Sequence, residues 1–259
     1  MRIIILLIFA VLFSSELNAE ETIVVKCDIK KCNKKFPLTA TRYYKANPKN
    51  NLPALIWLPG GPGIGSSIDY QSITSLENKI DIIIMASPYK IDGKNHRGDV
   101  PQAYSKDLTT RTKTIVEFYK KKLNKPIWIG GHSNGGPRVV EFLTADKDNT
   151  KTVQGIIMAA THVGPPGDPK IRIKLLKKYN LPTLVIFHER DFCNNTQPST
   201  QKYLFKSLEK RNENITQLIG LSQGVEVKIR SCDSGHHMFA SNRDEAADQI
   251  LKFITKHSK

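Results

Sequence analysis

From about residue 54 to the C-terminus, short β-branched apolar runs alternate with segments of helical spacing, and this alternation limits the fold more than any other feature of the sequence. The runs are "ALIWL", "DIIIMA", "PIWIG", "VQGIIMAA", "PTLVIF" and "VEVKIR". Helical spacing covers Lys106 to Leu123, Gly136 to Thr144, Lys170 to Tyr179, Ser199 to Arg211 and Arg243 to Lys256. Runs this continuously apolar are strands buried on both faces, and the intervening helices must cover them. The expected class is α/β, a mostly parallel sheet with helices on both faces. Before residue 54, "TIVVKCDIKKCNKKFPLTATRYY" holds two strand-like runs around a lysine-rich turn. That pattern predicts an antiparallel hairpin at the sheet edge. No repeat, low-complexity stretch or linker divides residues 20–259, so one domain is expected, with 39% hydrophobic residues sufficient for a single core. Only about twenty residues separate the strand at 153–160 from that at 182–187, which leaves room for little or no lid.

The first residues, "MRIIILLIFAVLFSSELNAE", read as a secretory signal: Arg2, an apolar run from Ile3 to Phe13, then a small residue at Ala19. The run is too short for the roughly 20 residues a membrane span requires. Cleavage near Ala19 would leave no other segment able to span, so no stable membrane insertion is expected afterwards. Export places all four cysteines, Cys27, Cys32, Cys193 and Cys232, in an oxidising compartment, periplasmic or extracellular, where disulfides are the default. Of the three possible pairings, the closeness of Cys27 and Cys32 in "CDIKKC" favours a local loop, which leaves Cys193 with Cys232. No pair has the Cys-x2-Cys spacing of a structural zinc site, and no metal is expected.

The net charge is +15, from 39 Lys and Arg against 24 Asp and Glu. Such a balance could draw nucleic acid, anionic lipid or an acidic polymer. The lysines are scattered without interleaved aromatics, so they read as a solvated surface and not as a specific nucleic-acid site.

The chemistry concentrates in "PIWIGGHSNGGPRVVEFL", where a strand passes through a glycine-rich corner into an amphipathic helix. Gly131-His132-Ser133-Asn134-Gly135 is a G-x-S-x-G turn, which presents the serine on a strained backbone and turns the Asn134 amide toward the site. A nucleophilic Ser133 needs a base, an orienter for the base, and amides for an oxyanion. The loop after residues 54–58, "PGGPGIG", exposes amides at Gly60 and Gly61. It fits G-x-G-x-x-G poorly, and Pro62 lacks an amide a pyrophosphate would use, so no dinucleotide cofactor is expected. After "PTLVIF", "HERDFC" offers Glu189 and Asp191, with Asp191 preferred and an Arg190–Asp191 loop ion pair as the competing reading. After "VEVKIR", "SCDSGHHMF" offers His236 and His237 as bases. His132 is expected to pack beside the serine without acting on it.

The order Ser, Asp, His along the chain resembles the α/β-hydrolase superfamily over nearly the whole of residues 20–259. That resemblance implies an eight-stranded, mostly parallel sheet and acyl transfer to water with no cofactor. The chain looks most like lid-poor secreted hydrolases of the dienelactone-hydrolase and serine-esterase branches, where a His-x-Phe pattern carries the base. That matches His237-Met238-Phe239 and selects His237. Pro59, where many relatives have histidine, and Asn134 and Pro137 in the elbow depart from the commonest pattern. By the resemblance, the acid and histidine loops meet, so a Cys193–Cys232 bond would staple them together. The implied activity is hydrolysis of a small-molecule or polymeric ester by Ser133, Asp191 and His237, with oxyanion amides at Gly61 and Asn134. The "GGPG" loop also resembles that of proline iminopeptidases, which makes an amidase or peptidase the nearest alternative. A non-catalytic binding protein on a hydrolase scaffold is the alternative of a different class.

Overall fold

A computed structural model describes residues 20–27, 32, 38–46, 51–60, 73–85, 90–91, 94–95, 104–163, 178–212, 216–224 and 235–258. The strands are β1 (Glu20–Lys26), β2 (Leu38–Tyr44), β3 (Ala54–Leu58), β4 (Ile82–Met85), β5 (Lys90–Ile91), β6 (Lys94–Asn95), β7 (Ile127–His132), β8 (Gly155–Ala159), β9 (Thr183–His188) and β10 (Thr216–Leu221). The helices are α1 (Tyr104–Leu123), α2 (Gly135–Ala145), α3 (Pro198–Glu209) and α4 (Arg243–His257). Eight strands form one sheet in the order β1-β2-β4-β3-β7-β8-β9-β10, and β5 and β6 make a separate two-stranded ribbon. β1 pairs antiparallel with β2, and β2 with β4. From β4 to β10 every pairing is parallel.

The central strands are buried along their full length, as their largely apolar runs require. Alternate residues feed two cores. Ile56 and Leu58 of β3 join the side covered by α1, α2 and α3, with Ile115, Tyr119, Val139, Phe142 and Leu204. Leu55 and Trp57 join the side covered by α4, with Ala247, Ile250 and Phe253. Charge placement suits the helix dipoles: α1 opens near Asp107 and closes on Lys120, Lys121 and Lys122, and α4 opens on Asp244 and Glu245. Pro198 stands at the start of α3, where its missing amide costs no hydrogen bond.

One expectation needs amendment. β10, "TQLIGL", is a strand that the sequence reading omitted, parallel to β9. Its residues are half-exposed at that end of the pairing order, so it lacks the continuous apolar signature of the central strands. The strand expected at 225–230, most of the helix expected at 170–179 and the stretch 164–177, where a lid would lie, fall outside the described residues.

The end of the sheet remote from the serine corner is pinned by Asp81. One carboxylate oxygen accepts from the Tyr43 hydroxyl at 2.8 Å and the Ala46 amide at 3.0 Å. The other meets Lys125 Nζ at 2.6 Å. Burial, together with the Asp81 carboxylate, pushes the Tyr43 hydroxyl pKa far upward. Asp81→Ala would strand the buried Tyr43 hydroxyl and Ala46 amide and remove the Lys125 ion pair, and is expected to cost about 3 kcal/mol in urea unfolding while leaving activity intact. A loss under about 1 kcal/mol would show that solvent replaces these contacts freely.

Candidate active site

β7 ends at His132 and α2 begins at Gly135, so the chain turns from strand to helix across Ser133 and Asn134. Ser133 sits at φ 51°, a left-handed conformation uncommon for a side-chain-bearing residue. Its neighbours hold it there: the Ser133 amide donates to the Ala159 carbonyl at 3.0 Å, and its own carbonyl accepts from the His162 amide at 2.9 Å. Only glycine fits on either side. A methyl at Gly135 would lie 1.8 Å from the Leu58 carbonyl oxygen, and one at Gly131 would lie 2.4 Å from the Gly135 carbonyl carbon. Gly60, at the end of β3, also abuts the corner, since a methyl there would approach Ser133 Cβ to 2.8 Å. β3 and β7 are adjacent, and the chain leaves β3 toward β4 on one side before returning to β7 on the other. The corner therefore occupies the point where strand order reverses, at the carboxyl ends of the strands, the usual ligand crevice of such sheets.

The acid turn follows β9. Asp191 is 1% exposed and its carboxylate is fully engaged. Oδ1 accepts from the Cys193 amide at 2.9 Å, and Oδ2 meets the Thr196 hydroxyl at 2.8 Å and His237 Nδ1 at 2.9 Å. The competing Arg190–Asp191 ion pair does not form: Arg190 donates to the carbonyls of Ser222 and Gly224 at 3.3 and 2.9 Å. Glu189 pairs instead with Lys202 on the surface. His236 stacks on His188 with ring centroids 4.1 Å apart, while His237 faces the acid. The two adjacent histidines thus have separate environments.

His132 links the histidine turn to the corner. Its Nε2 donates to the His237 carbonyl at 2.9 Å, and the two rings lie 4.7 Å apart. Full burial, reinforced by His237, depresses the His132 pKa to about 3. It stays neutral, with the proton on Nε2. Because the folded value lies below the ordinary 6.5, the unfolded chain takes up a proton that the folded chain refuses. Stability from this site is complete above pH 6.5 and drains away as the pH falls toward 3. Wild type should lose roughly 3 kcal/mol between pH 7 and 4 that His132→Gln does not, read from urea midpoints. Parallel slopes for the two proteins would mean that His132 titrates like an exposed imidazole.

Three residues that sequence reasoning did not single out for a role enter the site. The Thr196 hydroxyl lies between Asp191 and His237, 3.0 Å from Nδ1 of the latter. His162 bonds the Asn134 side chain through Nδ1 and Oδ1. Gln201, fully buried on α3, clamps the Thr161 peptide from both sides, at 3.0 Å from its amide and 2.7 Å from its carbonyl oxygen. Cys27 and Cys32 form a disulfide with alpha carbons 6.1 Å apart. Cys193 is also disulfide-bonded. Its expected partner Cys232 and the expected oxyanion residue Gly61 lie outside the described residues.

The same fold recurs in solved structures. A dienelactone hydrolase from Anabaena variabilis superposes with a TM-score of 0.62 at 11% identity, over 93% of this chain and 99% of that one. A serine hydrolase without lid from Xanthomonas campestris gives 0.60 at 12%, over 91% and 94%. A thermophilic esterase from Thermogutta terrifontis gives 0.63 at 12%, over 92% and 100%. At such identities the likeness is one of fold. No curated protein sequence matches the chain. The family described as alpha/beta hydrolase domain does match, over residues 69–255, a span that contains the serine corner, the acid turn and the histidine turn. With that span, this strand order and the corner at its reversal, the chain belongs to the α/β-hydrolase family.

Proposed function

We propose that the protein is an exported serine hydrolase that cleaves carboxylic esters through an acyl-enzyme. The observation that carries the reading is the buried Asp191–His237 hydrogen bond, tied through His132 to a corner that holds Ser133 at positive φ. Asp191 accepts the Nδ1 proton of His237, which leaves Nε2 as the base. Ser133 Oγ forms a bond to the acyl carbon as its proton passes to His237. The carbonyl oxygen becomes an oxyanion held by the amides of Gly61 and Asn134. Collapse breaks the ester C–O bond, and the departing alkoxide takes the proton from His237. Water then repeats the sequence and releases the acid. Nothing in this cycle requires a metal or organic cofactor.

Residues 1–19 act as the leader and 20–259 as the single hydrolase domain in this reading. The Cys27–Cys32 bond suits an oxidising compartment, and among the described residues no helix is long and apolar enough to cross a membrane. A Cys193–Cys232 bond would anchor the acid turn to the segment leading to His237. The test is hydrolysis of p-nitrophenyl acetate by the oxidised protein, with fluorophosphonate labelling in parallel. Turnover together with labelling of Ser133 is the expected result. Labelling with turnover of an anilide but not of the ester would move the reading to an amidase, and neither labelling nor turnover would leave a binding protein on a hydrolase scaffold.

A further inference from the structure

Thr196 is fully buried, and its side chain is not needed by the turn that contains it. The Thr196 amide already closes that turn by donating to the Cys193 carbonyl at 2.9 Å. Nor does it cap the following helix, since α3 has no side-chain cap and its start is set by Pro198. The hydroxyl is instead committed to the acid and the histidine. Thr196 Oγ1, Asp191 Oδ2 and His237 Nδ1 form a nearly equilateral triangle with sides of 2.8, 2.9 and 3.0 Å. Among the described residues the hydroxyl has one further partner, the Cys193 carbonyl, 3.4 Å away.

Proton counting settles how the triangle is wired. An ionised Asp191 can only accept, so the Thr196 hydroxyl donates its single hydrogen to Oδ2. Its lone pairs then face Nδ1, and the Nδ1 proton is shared between the carboxylate and the hydroxyl. Rotation of the carboxylate would break the Thr196 contact and also the Cys193 amide contact on Oδ1.

We infer that Thr196 is a positioning residue of the hydrolytic site, a fourth member that locks the Asp191 carboxylate and keeps the proton of His237 on Nδ1. The inference rests on the serine-hydrolase reading given above. It deepens that reading by assigning the immobility of the acid to one hydroxyl.

The test compares Thr196→Val, which keeps the shape and removes the hydroxyl, with Thr196→Ser, which keeps the hydroxyl. With p-nitrophenyl acetate, Thr196→Val should lose about 10- to 100-fold in kcat with KM within about twofold, the range typical of groups that orient a ligand or base from behind. Thr196→Ser should return to within about threefold of wild type. The low-field Nδ1 proton resonance of His237, assigned by its disappearance in His237→Gln, should shift or broaden in the valine variant and be restored in the serine variant. If Thr196→Val does not fold, as judged by circular dichroism, Thr196→Ala carries the same comparison. A valine variant with wild-type kcat and an unmoved resonance would overturn the inference, as would equal losses in valine and serine variants. Wild type that neither turns over ester nor takes the fluorophosphonate would sink the hydrolase reading itself, a separate outcome.

Discussion

Ser133→Ala is expected to lower ester turnover by about 10^4-fold or more while the thermal midpoint stays within a few degrees of wild type. The size of the loss follows from the role. In the proposed cycle, removing Oγ removes the covalent intermediate, and the residual rate would come only from binding and the proposed oxyanion amides acting on water. Stability should change little because the strain lies in the backbone. At φ 51° an alanine Cβ meets the same crowding as the serine Cβ, and the hydrogen bonds from Ser133 to Ala159, Gly136 and His162 are all made by main-chain atoms. Measured activity of the variant within tenfold of wild type would mean that the corner presents a serine that does not react. A collapse of stability alongside activity would mean that the hydroxyl is structural.

The sheet and its corner were readable because their signals are local. A fully buried parallel strand must be apolar along most of its length, and β3, β7, β8 and β9 are, with polar residues only at strand ends such as His132, Thr183 and His188. A strand-to-helix corner with a left-handed serine must be flanked by glycine, and Gly131 and Gly135 flank this one. β10 escaped because its half-exposed residues let Gln217 and Gly220 stand where a central strand would need apolar side chains. Thr196, His162 and Gln201 escaped for a different reason. Each acts on a partner 28 to 41 residues away, and nothing in the local sequence distinguishes such a threonine from an ordinary turn residue. The neighbouring pair His236 and His237 shows the limit well. The loop residues alone offer both, and only the His-x-Phe resemblance selects His237; which ring turns to Asp191 and which stacks on His188 is decided physically by the path of a turn.

Asp191→Asn should be the second most damaging change, on the order of 10^4-fold in kcat with KM little altered, a loss of the size known for triad aspartates. The substitution preserves volume and, at a fully buried position, leaves no charge unpaired. Its effect comes from direction. Wild-type Asp191 accepts on both oxygens, from the Cys193 amide on one and from Thr196 and His237 on the other. An asparagine has a single oxygen, and the Cys193 amide, fixed by the main chain, claims it. The amide nitrogen must then face His237 Nδ1, where two donors would meet. His237 relieves the conflict by moving its proton to Nε2, and the nitrogen that should receive the serine proton becomes a donor. Thr196 can reorient to accept from the new amide, so the site remains hydrogen-bonded and the protein should unfold at nearly the wild-type temperature. Fluorophosphonate labelling, which needs the same proton transfer from Ser133, should slow in proportion to kcat. If turnover falls while labelling keeps its wild-type rate, Asp191 serves a later step than the activation of the serine.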